Sequence, residues 1–501
     1  MAVPETARRA FTLAGLRAAS CQTQGLLRLP PSLQSAIAAF IGDIPTREVK
    51  QSVARLTFNM KARKEQSMVK VSTDAVEGSD DARAAVDEYM ASTTATQNRL
   101  SREVRVTTQA PMVRYEYDEK NVAAYVAARM PAVYGAVHRV LSEVAARLPD
   151  FRPVRVLDYG SGPGTVLWAM REVWAEGVEH VNLVEPSRAM ATACRTLLQD
   201  VENLPLIKVH PSLALFSRGL GKGTRMHDLV VSSYALGELL TPAERITAVR
   251  QLWALTSDVL VLIEPGTPQG SSIVREMRAH ILHLEKKKLR RAAESGEGNG
   301  DADAVGAFVV APCPHDGQCP MDKTKDWCHF IQRLERTTSQ RVSKRQSKPT
   351  PLRAYEDEKF SFVVLRRGSR PIVPYPLEGL TIEPPEEENF EFIDDPTSRL
   401  DKSHEESGDE SDSQESEEDE DEADDDEVDI GNRVADVGSG WARIVRTPIR
   451  RGRRTVLDLC AATEKNGSRG AVTRVVISRR GNDAPLHPQA RKSRWGDLWP
   501  L

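Results

Sequence analysis

The chain has 501 residues, 40% hydrophobic and 28% charged, enough apolar material for two or three domains with their own cores. No run approaches the roughly 20 consecutive apolar residues of a bilayer span, so an integral helical membrane protein is excluded. The net charge of −4 hides a segregation: residues 401–428 hold 17 Asp or Glu and one Lys, net −16, which leaves +12 on the remainder. Residues 429–501 carry 15 Lys or Arg against 6 acids. A basic body favours phosphate-rich partners, nucleic acid among them, although basic surfaces also simply keep proteins soluble.

In chain order, residues 1–37 come first, with Arg8, Arg9, Arg17 and Arg28 against the single acid Glu5, and Phe11, Leu13 and Leu16 among Ser and Thr. This composition predicts an organellar transit peptide over 1–37, mitochondrial in the reading adopted here. A chloroplast leader shares it, and an ordinary exposed helix is the plain alternative. Residues 38–150 read as a helical N-terminal region. In 119–148 apolar residues recur at spacings of three and four, and Pro131 splits the stretch into two helices.

From 151 to 375 strands alternate with helices: PVRVLDY, HVNLV, HDLVVSS, DVLVLIEP and KFSFVVLRR, the first four as the opening strands in order. That alternation predicts an α/β fold with a doubly wound, Rossmann-like sheet. The first strand runs into 158-DYGSGPGT-165. Glycine lets the backbone approach a ligand, the next helix offers free N–H groups, and ligands bind at the carboxyl ends of such strands. Glu185 ends the second strand, 25 residues after Gly160, where a carboxylate can hold ribose hydroxyls. A tight turn without a ligand is the plain alternative for the glycines. The motif resembles motif I of class I S-adenosylmethionine-dependent methyltransferases. The resemblance implies that Asp158, Gly160, Ser161, Gly162 and Gly164 surround the methionine end and Glu185 the ribose.

A catalytic apparatus is not evident. The counterpart of the Asn/Asp-Pro-Pro-aromatic loop reads Ser232-Ser233-Tyr234-Ala235, the candidate strands carry no cysteine nucleophile, and Tyr234 and Glu238 are the nearby polar candidates.

Of six cysteines, Cys21 lies in the expected leader and Cys194 on a helix, where a buried structural thiol is expected. Cys313, Cys319 and Cys328 share sixteen residues, an insertion over 311–336 kept irregular by Pro312, Pro314, Gly317 and Pro320. In a reducing compartment a disulfide is disfavoured, so the cluster reads as a metal site. Zinc with His315 or His329 as fourth ligand is one alternative; a distant fourth thiolate, of which Cys460 is the remaining candidate, is the other.

Next come Pro-rich sequence and the acidic tract, expected as a disordered linker over 376–435. A basic, β-rich C-terminal module over 436–501 follows, with RTVLDLC and AVTRVVISRR as paired strands. The run 443-RIVRTPIRRGRR-454 suits phosphate, and Trp441, Trp495 and Trp499 are candidates for stacking on bases, unless buried.

In order, DYGSGPGT, SSYALGEL, APCPHDGQCP, WCHFIQRLER, YEDEKFSFVVL, RIVRTPIRR and VLDLC resemble the mitochondrial small-subunit assembly family of methyltransferase-like proteins, over roughly 100–370 and 436–480. The resemblance implies a 4Fe-4S cluster on Cys313, Cys319, Cys328 and Cys460, and S-adenosylmethionine binding with methyl transfer lost. It also implies partners in the precursor of the mitochondrial small ribosomal subunit, its rRNA and ribosomal proteins. The tract at 401–428 departs from the family pattern, which a flexible insertion tolerates. The expected protein is a matrix assembly factor, monomeric when free. An active rRNA methyltransferase and a redox or iron sensor are the alternatives.

Overall fold

A computed structural model describes residues 13–42, 44–66, 117–218, 227–295, 305–344, 352–373, 375–378, 437–481 and 483–501. The acidic tract lies outside them, so the linker expectation over 376–435 bears only on its first residues. Tyr375, Pro376 and Leu377 already pack against the C-terminal module, where a Cβ on Gly440 would lie 2.6 Å from Pro376.

Short apolar strands buried on both faces cannot stay single, and here they assemble as a parallel sheet. β1 (Arg155–Tyr159), β2 (His180–Val184), β3 (Leu206–His210), β4 (His227–Ser233) and β5 (Thr256–Pro265) run parallel. β8 (Tyr355–Arg367) pairs antiparallel with β5, and β6 (Ala307–Ala311) and β7 (Phe330–Glu335) both pair with β8. The order β3-β2-β1-β4-β5-β8-β6, reversing direction at β8, is the class I methyltransferase-like arrangement expected above. Alternation along each strand divides the core into two layers. Val156, Val231, Val261 and Val364 face one, whereas Leu157, Val230, Leu262 and Val363 face the other.

Three strands of this sheet have no counterpart in the sequence reading: β3, β6 and β7. The end of the expected irregular insertion over 311–336, Phe330–Glu335, is therefore regular strand. HDLVVSS is the fourth strand in chain order and DVLVLIEP the fifth, because β3 intervenes.

On the first layer lie α2 (Pro31–Ile41), α4 (Glu119–Ala128), α5 (Met130–Arg147), α6 (Thr165–Val173) and α7 (Arg188–Leu197). The second layer holds α9 (Pro242–Leu255) and α10 (Pro268–Ser295). α4 and α5 meet at Arg129, with Pro131 in the first turn of α5, where a missing N–H costs nothing. Asp118 caps α4 by accepting from Asn121 N–H at 2.7 Å, and Thr241 with Glu244 forms a capping box at α9. α1 (Leu13–Ser20), α3 (Thr46–Gln66), α8 (Leu213–Arg218), α11 (Thr338–Lys344) and α12 (His487–Lys492) complete the helices of the described residues. None of these helices is long and apolar enough to cross a membrane.

The C-terminal module is an antiparallel sheet. β11 (Arg454–Ala462) pairs with β12 (Gly470–Ser478) on one edge, and with β10 (Ile449–Arg451) and β9 (Trp441–Ile444) on the other; β9 also pairs with β13 (Leu498–Pro500). It docks on α5 through Arg443, whose guanidinium donates to Glu143 and, at 2.6 Å, to the Gly496 carbonyl. Glu143 also faces Arg139 at 3.1 Å and Arg147 at 3.7 Å. Burial by itself would raise its pKa, but Arg443, Arg139 and Arg147 outweigh that and bring it down to about 2.

The segment expected as part of a removable leader contributes to this fold. Leu29, Leu33 and Ile37 lie in the main core, and Leu16 and Ala19 lie against Trp441 and Leu498. A boundary at 37 cuts through packed residues.

Glu143→Leu strands three buried guanidiniums, so it should destabilise by about 3–5 kcal/mol in urea unfolding. Glu143's contribution is fully present above the ordinary carboxylate range and is lost only as pH falls towards about 2. An unchanged urea midpoint would contradict this account of the docking.

Candidate functional site

The glycine loop folds as its composition dictates. Gly160, Gly162 and Gly164 have φ of +71°, +52° and +85°, which only glycine adopts cheaply. A Cβ on Gly160 would lie 2.4 Å from that of Ala235, and one on Gly164 would lie 2.7 Å from Cys194 Sγ. Above Gly162 nothing among the described residues lies within 4 Å of such a Cβ, which leaves room for a ligand there. Glu185 accepts from Gly162 N–H and from Ser187 N–H, both at 2.8 Å, which ties the end of β2 to the loop. Burial, opposed by those two N–H groups and augmented by Glu238, raises its pKa. Asp158 is 1% exposed, and among the described residues neither carboxylate oxygen has a hydrogen-bond partner. Burial first, then Glu185, holds its pKa well above the usual range. An orphaned carboxyl beside an open glycine is the donor set of a polar ligand. Ser161 is buried in the same turn, and its carbonyl accepts from Gly164 N–H at 2.9 Å. Cys194 is buried and its thiol is pushed up to about 12 by burial, as a structural thiol should be.

The loop after β4 is fastened. Tyr234 has φ +56°, a strained value for a non-glycine residue. Its N–H donates to Ile263 O at 2.7 Å and its hydroxyl to Glu358 Oε1 at 2.8 Å. Arg129 grips both oxygens of Glu358 at 2.7 Å and lies 5.0 Å from the Tyr234 ring centre. Burial, then Glu358, hold the phenol well above its usual pKa, so Tyr234 is a poor base. Tyr117 donates to Glu238 at 2.6 Å. Glu264, at the end of β5, accepts from Leu236 N–H at 2.9 Å and Gly237 N–H at 3.2 Å. Sequence reasoning missed Arg129, Glu264 and Glu358. The available signal was a charge inside an otherwise buried stretch, VLVLIEP for Glu264.

The four cysteines come together from distant parts of the chain. Cys460 sits on β11, is 7% exposed, and its thiol is raised by burial and by Cys313, Cys328 and Cys319. Cys328 is raised by burial, then by Cys313 and Cys319, with Arg443 and Arg275 opposing; Cys319 is raised by burial and Cys313. Arg278, 4% exposed, donates to the His315 carbonyl at 2.7 Å and acts electrostatically on Cys319 and Cys460.

Among the described residues no three His, Cys, Asp or Glu side chains are placed to hold a single metal ion. His329 stacks edge-on against Trp495 at 4.3 Å, and His315 Nε2 stands 3.6 Å from Cys460 Sγ on a ring wedged against Gly470.

Two further expectations are corrected. Trp441 and Trp499 are buried, at 0% and 4%, and cannot stack on bases. Arg443 is buried in the Glu143 pair, Arg446 pairs with Asp326 and Asp458, and Arg450 donates to the Arg491 and Ser493 carbonyls, which leaves exposed Arg451, Arg453 and Arg454 of that run, with exposed Arg479 and Arg480 beside them at the end of β12.

Comparison with known proteins adds the lineage. The model of the family described as Mitochondrial small ribosomal subunit Rsm22 matches residues 119–500. The human Ribosome assembly protein METTL17, mitochondrial, is 32% identical over 259 residues, 50% of each chain. Rsm22-cox11 tandem protein 2, mitochondrial, of Schizosaccharomyces pombe is 25% identical over 423 residues, 81% of this chain and 47% of that one. The chain thus spans about half the length of these curated relatives. The solved magnesium protoporphyrin IX methyltransferase (ChlM) of Synechocystis PCC 6803 with bound SAM aligns at TM-score 0.27 and 13% identity, over 59% of this chain and 100% of that one. The fold assignment stands on the strand order instead.

Burial raises the Glu264 carboxyl to about 8, against the Gly237 and Leu236 N–H groups and Arg245. A raised acid gives stability that is fully present below its unfolded value and falls as pH rises towards about 8. Glu264→Gln keeps an acceptor without the charge. The variant should lose up to about 1.4 kcal/mol per pH unit of the downward slope between pH 5 and 8. Parallel stability curves for the two proteins would refute this.

Proposed function

The chain belongs to the Mitochondrial small ribosomal subunit Rsm22 family, and we propose from that membership that it is an assembly factor for the small ribosomal subunit in the mitochondrial matrix. It binds the subunit precursor, its rRNA and ribosomal proteins, holds S-adenosylmethionine and a 4Fe-4S cluster, and transfers no methyl group. The name of the human relative, a mitochondrial ribosome assembly protein, supports the direction.

One observation carries the reading: Cys460, on the basic C-terminal sheet, joins Cys313, Cys319 and Cys328 where that sheet meets the methyltransferase-like domain. Four cysteine thiols drawn from the two sheets are the ligand number and type that a cubane cluster takes. Buried Arg278 and Arg443 supply positive charge to an anionic centre. The cluster's part is structural: it fixes the angle at which the arginines of the β10–β11 turn meet RNA backbone, where the guanidinium fork pairs with phosphate. Asp158, Gly160, Ser161, Gly162, Gly164 and Glu185 would hold S-adenosylmethionine, whose chemistry when bound is methyl donation. The residue best placed to act on an acceptor, Tyr234, is instead occupied with Glu358.

Sedimentation of tagged protein from mitochondrial lysate tests the reading. It should travel with small-subunit precursors and resist moderate salt, because specific contacts add to phosphate attraction. Cys319→Ser and Cys460→Ser should lose both bound iron and co-sedimentation. Migration at the top of the gradient in low and moderate salt sinks the assembly role, and methyl transfer to free rRNA by pure protein would favour an active enzyme.

Asp158→Asn gives a second, independent check. It replaces an orphaned buried carboxyl by a neutral amide of the same shape, so the unliganded protein should melt no lower. The wild-type stabilisation of about 2.7 kcal/mol at a hundredfold excess of S-adenosylmethionine over its Kd should vanish. Equal ligand-induced shifts in both proteins would remove Asp158 from the site.

A further inference from the structure

Residues 13–37 have the composition of a leader and the packing of a core element, and these two properties conflict. We propose that they remain in the mature protein as a strap joining its two sheets, so that any cut releasing an import leader falls N-terminal to Leu13. This rests on the mitochondrial reading for the word "import", not for the strap.

The strap begins at α1. Leu16 and Ala19 are both 0% exposed and lie against Trp441 and Leu498 of the C-terminal sheet. Next, the N–H groups of Gln22 and Thr23 donate to Asp497 Oδ1 at 2.9 and 2.8 Å. Asp497 is 4% exposed, and these donors satisfy one oxygen of a buried carboxyl. The Gln489 amide reaches Ser20 Oγ at 3.0 Å.

The chain then crosses to the other sheet. Leu27 N–H donates to Arg333 O at 3.0 Å and Leu27 O accepts from Glu335 N–H at 2.8 Å, a parallel bridge on the outer edge of β7. Beyond it Leu33 and Ile37, at 0% and 1% exposure, enter the main core. Two of the four arginines that suggest a leader belong to this folded part: Arg28 pairs with Glu335 at 2.9 Å, and the Arg17 carbonyl accepts from Ser20 Oγ at 2.9 Å. Only Arg8 and Arg9 precede Leu13.

Removing 1–37 would uncover apolar surface on both sheets, take two donors from buried Asp497 and reopen the edge of β7. Losses of this kind, an unsatisfied buried carboxyl and exposed core, are the large destabilising class.

Two measurements decide it. Protein purified from mitochondria through a C-terminal tag, digested and mapped by mass spectrometry, should contain peptides covering 13–37. A mature N-terminus beyond Leu13 overturns the proposal. In parallel, recombinant full chain and a form lacking 1–12 should melt together, while a form lacking 1–37 should melt far lower or lose its cooperative transition. If the 1–37 deletion melts like the full chain, the strap is dispensable and the proposal fails. If the protein never enters mitochondria, the compartment reading fails while the melting comparison still judges the strap.

Discussion

A carboxylate with no exposed surface, Glu143, is surrounded by three arginines, and one of them, Arg443, belongs to the other sheet. A buried charge of this kind tolerates no misplacement, because a partner moved by an ångström leaves an unpaired ion in a dry interior. The docking angle of the C-terminal sheet on α5 is therefore fixed by electrostatics and not only by apolar area. Everything of functional interest in the second half of the chain inherits that angle. Cys460 is opposite Arg443 in the β9–β11 register, so the ion pair and the thiol arrive together. The exposed arginines of the β10–β11 turn stand at the other end of β11.

What could be read from sequence was what local spacing encodes. The glycine loop, Glu185 and Asp158 stand within one strand–loop–helix–strand unit, and their coming together follows from position in it. The break at Arg129 follows from Pro131, and the β11–β12 hairpin from two apolar runs around a Gly-containing turn. What escaped depended on partners far away in the chain. β3 is an edge strand with little burial, so LIKVH has no clear apolar signal, and β6 and β7 are defined by pairing with β8 rather than by their own pattern. Arg443 looks like its solvent-facing neighbours until Glu143, 300 residues away, comes into view. Leu16 and Leu33 lie in a stretch whose arginines and small residues describe a leader and a packed helix equally well. The acidic tract lies outside the described residues, and its role stays with composition.

The methyltransferase-like half combines an open glycine turn with a fastened loop. Among the described residues, nothing crowds Gly162 and neither oxygen of Asp158 is engaged. One strand away, Ala235 presses on Gly160, Glu264 holds the loop by two N–H groups, and Tyr234 is committed to Glu358 and Arg129. The first arrangement has room beside its polar groups, whereas the second is already satisfied internally.

The bridge from Leu27 to β7 and the bonds from Gln22 and Thr23 to Asp497 join the first and last parts of the chain, 475 residues apart at Gln22. Such contacts have the greatest loop-closure cost and the latest possible formation. A chain delivered from its N-terminus, whether from a ribosome or through a membrane pore, must hold its opening segment unpaired until its final residues emerge. Docking of the N-terminal strap thus follows delivery of Asp497, and the waiting segment is a natural client for a chaperone.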